Sequence, residues 1–179
     1  MNARAYALLG IVGPLTAYVA IGVSIALSPW FSWETSALSD LGHAVKSQAA
    51  PIFNLGLLLA GLLITVYAIT VFKKHAKYTS IFLVMSALSL QLVATFDEVY
   101  GFPHFAASVM LFLSLGAASL TYAIERRSYL AIAAFIIGLI SWALYGMKMY
   151  SLGVAVPETI STVMAVSWMI YSAIRIIRT

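Results

Sequence analysis

Residues 51–77 read PIFNLGLLLAGLLITVYAITVFKKHAK. From Pro51 to Phe72 no side chain is charged, and the run closes on Lys73, Lys74, His75 and Lys77. A helix needs about 20 apolar residues to cross roughly 30 Å of hydrocarbon, so this segment is long enough to span a membrane. The basic cluster marks where it leaves. Barrel strands alternate lipid-facing and lumen-facing residues over about ten positions, and this run does not alternate.

Working outward, five further runs have the same character, and spanning helices are expected at about 5–28, 51–72, 78–96, 104–124, 129–150 and 158–176. The expected fold class is all-α: a polytopic membrane protein with six transmembrane helices in one bundle, a single domain over residues 1–179. Pro51, Pro103 and Pro157 stand just before or at the starts of the second, fourth and sixth helices, where a missing N–H does little harm. Pro14, after Gly10 and Gly13, falls inside the first helix and is expected to bend it. The first run, Tyr6 to Leu27, exceeds the 7 to 15 or so residues of a signal-peptide core and is read as a retained helix.

The composition agrees. The chain is 63% hydrophobic and 9% charged, where soluble domains carry about 25% charged residues. Its formal charge of +4 does not indicate nucleic acid, because the basic residues form short clusters beside apolar runs and no continuous stripe. No nucleic-acid partner is expected. The absence of cysteine excludes disulfides, thiolate metal sites and cysteine-ligated clusters, so no redox cofactor is expected.

Orientation follows from the alternate connections. Arg4, Lys73, Lys74, Lys77, Arg126, Arg127, Arg175 and Arg178 fall on one side, and only Lys46 and Lys148 on the other. Positive charge stays in the cytoplasm, so both termini are expected inside, in a prokaryotic plasma membrane. The acids fall oppositely: Glu34, Asp40, Asp97, Glu98 and Glu158 outside, Glu125 alone inside.

The one long connection, Pro29 to Ala50, reads PWFSWETSALSDLGHAVKSQAA. Loops of this size are usually functional or disordered. With Trp30, Phe31 and Trp33 as interfacial anchors, it is expected to lie on the membrane surface as a lid over 29–50, with a short helix near SALSDLGH. Asp40 and His43, three apart, would share a face of that helix. Asp97, Glu98 and His104 in DEVYGFPHF lie on the same side, as do Ser39, Asn54, Gln91, Ser108, Lys148 and Glu158.

Histidine beside carboxylate can ligate a divalent metal or form an acid–base pair, and it can equally satisfy loop ends as a structural network. Asp40, His43, Asp97 and His104 are the candidates for a catalytic or metal site. For ligand binding the candidates are Ser39, Asp40, His43, Asn54, Gln91, Asp97, His104, Ser108, Lys148 and Glu158. Lys148 could pair with an acid or snorkel to headgroups. His75, Arg126 and Arg127 read as interfacial anchors, and Trp142 and Trp168 as packing or belt residues.

SALSDLGH followed by PIFNLGLLLAGLL, then GFPHFAAS, then VPETIS before Trp168, resembles the membrane family catalogued as domain of unknown function 998 over nearly the whole chain. More distantly, Ser39-Asp40-x-Gly42 and His104 are similar to DRAM/Sfk-type six-helix proteins. That resemblance implies a six-helix bundle with a lipid-related role. Ser39 and His43 also resemble the Ser-xxx-His element of ceramidase-type membrane hydrolases, although no histidine follows His104. The expected function is an external polar pocket that binds a lipid headgroup or similar amphiphile, with membrane lipids as partners. The alternatives are a membrane-embedded lipid hydrolase and a small-solute transporter.

Overall fold

The computed structural model describes residues 2–178, and among them all regular structure is helical. Six helices are long and apolar enough to cross a membrane: α1 (Ala3–Ala26), α2 (Ala50–His75), α3 (Lys77–Thr95), α4 (Phe102–Arg126), α5 (Tyr129–Gly146) and α6 (Ala155–Arg178). Local signals set their ends. The Asn2 side chain accepts the Ala5 amide at 2.9 Å and caps α1. Pro51 and Pro103 stand in the first turns of α2 and α4. Ala76, with φ −145°, breaks the chain between α2 and α3. Across that break, Glu125 at the end of α4 accepts the Tyr78 and Thr79 amides at 3.2 and 3.0 Å, so an acid covers the positive end of α3. Lys148, with φ 54°, turns the chain after α5, which ends at Gly146, short of the expected 150.

The helices stand in chain order around a closed ring, each packed on the one before it, with α6 returning to α1. Small residues permit the closest approach: a Cβ on Gly56 of α2 would collide with the Ala20 methyl of α1. At one end Tyr67, Phe72, Tyr122 and Trp168 are fully buried, and Trp168 stacks on Tyr122 with centroids 4.6 Å apart. The two indole and phenol polar atoms are satisfied, since Trp168 Nε1 donates to Ser119 Oγ at 3.0 Å and Tyr67 Oη pairs with Ser172 Oγ at 2.9 Å. Here α2 passes through a π-helical turn, Ala68–Phe72, which places Phe72 in this stack. The basic residues of Lys73–Lys77, Arg126 and Arg175 gather around this end, where both Arg126 and Arg175 lie close enough to act on His75.

The segment 29–50 folds over the opposite end. Its only helical turn is a 3-10 turn, Ser39–Gly42, whose Leu41 is fully buried against Phe53, Leu57, Val93, Ala107 and Leu111. Hydrogen bonds fix it to three other parts of the chain. The Asn54 amide donates to Gly42 O at 2.9 Å, the Ser39 hydroxyl to Glu98 Oε1 at 2.7 Å, and the Leu38 amide to Glu158 Oε2 at 2.7 Å. Gly153 and Ala155 donate to Trp33 O and Ser36 O at 2.9 and 3.0 Å. The backbones approach so closely there that a Cβ on Gly153 would lie 2.6 Å from Ser36 O. Trp30 and Trp33 remain exposed at the rim.

Candidate functional site: a cleft between two helices

Helices α4 and α5 share the thinnest contact in the ring, and a cavity of about 530 Å³ opens there, backed by α6. Its long wall is one face of α4: His104, Ser108, Phe112, Leu115 and Ser119 recur at helical spacing. Opposite stand Ala134, Phe135, Gly138 and Trp142 of α5, with Ser161 and Ala165 of α6 behind. Phe105, Val109 and Leu113 on α4 and Leu139 on α5 also line it, and all are turned outward; Leu113 is 69% and Leu139 59% exposed. In a bilayer those residues face hydrocarbon, so the cleft opens sideways toward the lipid.

The lid end of the cleft is polar. Ser39, Glu98, His104, Ser108 and Glu158 come together there, and no lysine or arginine is among the described lining residues. Glu98 interacts with both Asp40 and His104. Burial raises its carboxyl above the usual carboxylate range, the neighbouring Asp40 pushes it further, and Ser39 and His104 pull the other way. The His104 Nδ1 lies 2.8 Å from Phe96 O, a carbonyl that can only accept, so Nδ1 carries a proton and, in the neutral ring, Nε2 bears the lone pair. Ser108 Oγ lies 3.5 Å from that Nε2. A second, interior cavity of about 130 Å³ shares Ser39, Ser108, Phe112, Leu115 and Glu158 as walls.

Of the residues singled out from the sequence, Ser39, His104, Ser108 and Glu158 line the cleft. Asp40 stands beside Glu98 while its Oδ2 accepts the Ala37 amide at 2.7 Å. The others are occupied elsewhere. Asp97 is buried and accepts the Val99 amide at 2.8 Å, capping the 3-10 turn Glu98–Tyr100. His43 is buried, and its Nδ1 faces the amides of Val45 and Lys46 at 3.3 and 3.4 Å. Asn54 holds the lid, and Gln91 bonds back to Ala87 O at 3.3 Å beside Gly61. Lys148 is exposed beyond the end of α5 and outside the cleft lining. Among the described residues no three histidine, aspartate or glutamate side chains gather closely enough to hold a metal ion.

Over residues 11–175 the sequence matches the family model described as Protein of unknown function (DUF998). The chain belongs to that family. No curated protein and no solved structure matches it. The family match covers every residue of the cleft, from Ala37 to Ala165.

Sequence reasoning did not single out Phe112, Gly116, Phe135 and Gly138, because apolar residues on a spanning helix look alike whether they face lipid, core or cleft. One signal was available on α4: His104 and Ser108 are polar at i and i+4, and extending that spacing reaches Phe112 and Gly116.

Proposed function

We propose that this protein binds an amphiphile from the surrounding bilayer in the α4–α5 cleft, with the headgroup under the lid and the chain against Phe105, Val109, Leu113 and Phe135. The observation that carries this reading is the cleft's two-part chemistry: a lateral, apolar slot of about 530 Å³ that ends in Ser39, Glu98, His104, Ser108 and Glu158. Its volume falls within the roughly 300–1,000 Å³ of small-molecule sites. A water-soluble solute would find few polar partners along the wall, whereas a lipid chain enters from hydrocarbon without crossing water.

The test uses Gly116→Leu. A Cβ at Gly116 would meet only the Phe135 ring, at 3.9 Å, so the longer side chain extends into free space and the fold should survive. Protein purified in mild detergent should carry extractable amphiphile near one per chain by mass spectrometry. Gly116→Leu should lower that occupancy at least about tenfold, equivalent to about 1.4 kcal/mol. Equal amphiphile content in the two proteins, with equal thermal midpoints, would refute the site.

We further propose that the lid faces outside and both termini lie in the cytoplasm. The support is the clustering of Arg4, Lys73, Lys74, Lys77, Arg126, Arg127, Arg175 and Arg178 at the end away from the lid. The native chain contains no cysteine, and Val45 in the lid is 80% exposed. On intact cells an impermeant maleimide should label Val45→Cys and leave Lys74→Cys unlabelled. The reverse pattern would invert the topology.

A further inference from the structure

We infer that Ser108 and His104 form a nucleophile and base that open an acyl ester entering through the α4–α5 cleft. The inference rests on the cleft's binding an amphiphile and adds a reaction to it.

Hydroxyls on spanning helices normally bond to a carbonyl one turn back. Thr65, Ser86, Ser114, Ser119 and Ser161 do so here, at 2.6 to 3.0 Å. Ser108 departs from that pattern. Its hydroxyl faces the His104 imidazole, and that ring is in turn held by Phe96 O through Nδ1. A hydroxyl, an imidazole with its lone pair toward that hydroxyl, and a third group that fixes the imidazole tautomer make up the geometry of an activated serine. Both side chains line the cleft, at the point where its apolar slot meets the polar end. Glu98 interacts with His104, and its carboxyl, when ionised, favours the imidazolium formed during the reaction. The 3.5 Å contact is long for a hydrogen bond and must shorten to about 2.8 Å for the proton to pass, as such pairs do when substrate enters.

The step balances with water as the only co-reactant. Ser108 Oγ bonds to the acyl carbon while its proton moves to His104 Nε2 and the carbonyl π pair moves onto oxygen. The tetrahedral centre collapses, the ester C–O bond breaks, and the leaving alkoxide takes the proton from the imidazolium. Water then repeats the sequence on acyl-Ser108, giving up a proton to His104 and releasing a carboxylic acid. The substrate class is a membrane amphiphile with a carboxylic ester near its headgroup, since the pair lies where the apolar slot meets the polar end under the lid.

A decyl fluorophosphonate added to the protein in phosphatidylcholine vesicles tests this directly. Peptide mass spectrometry should place the phosphonyl adduct, formed with loss of fluoride, on Ser108. In His104→Gln the labelling rate should drop at least about 100-fold. Gly116→Leu, which leaves the pair intact, should lower the rate at least about tenfold by closing the entrance. Ser108→Ala should carry no adduct. An unlabelled Ser108 in native protein that still holds amphiphile would overturn the reaction and leave the binding site standing. Native protein with neither adduct nor amphiphile would overturn both. Labelling of Ser108 that changes less than about twofold in both His104→Gln and Gly116→Leu would show a hydroxyl reacting without base or cleft.

Discussion

Glu98 receives the Ser39 hydroxyl on one oxygen and has Asp40 for a neighbour, so lid and cleft meet at a single carboxyl. Burial and Asp40 raise its proton affinity in the folded protein above the ordinary carboxyl value of 4.5. The folded state therefore binds more protons than the unfolded state between those two values. Its contribution to stability is full below the ordinary value and is lost as pH rises through the folded one. Glu98's contribution to the thermal midpoint in detergent should accordingly diminish as pH rises above the ordinary carboxyl value, so Glu98→Gln should remove that part of the pH dependence. An unchanged slope in Glu98→Gln would place the dependence on another group. At this scale the sequence was legible in kind more than in role. Asp97 and His43 have the residue types of a site, yet each lies within a few residues of unpaired amides in its own turn and is satisfied there. Ser39, Glu98 and Glu158 instead bond or interact across long stretches of chain, which no spacing rule encodes.

The six helices were readable at the level of the element because length and continuous apolarity decide a span without any knowledge of its neighbours. Boundaries followed where a proline or an unpaired amide marks them, as at Pro51 and Pro103. They shifted where tertiary contact decides. The chain leaves α5 at Gly146 because it must return to donate the Gly153 and Ala155 amides to the lid. The π turn at Ala68–Phe72 carries no composition of its own; its occurrence goes with the packing of Phe72 against Tyr67, Tyr122 and Trp168. In the lid, the SALSDLGH stretch contains a single 3-10 turn. Its anchor is Leu41, an apolar residue within a polar string, together with the backbone at Gly42 and its Asn54 partner.

For the whole molecule, the ring in chain order follows from short connections, which make consecutive spans antiparallel neighbours. Where such a ring gapes could not be read from one sequence, because the α4–α5 cleft arises from what those two helices fail to bury against each other. Its polar end was anticipated only as a set of residue types on one face. Binding of an amphiphile requires that gap to admit a chain from the bilayer. A phosphatidylcholine carrying a photoactivatable diazirine partway along one acyl chain, irradiated with the protein in vesicles, tests this most directly. Cross-links should concentrate on peptides holding Phe112, Gly116, Phe135 and Trp142 and be lost in Gly116→Leu. Cross-links spread evenly over outward residues such as Leu8, Val19 and Ile81, and unaffected by Gly116→Leu, would contradict it.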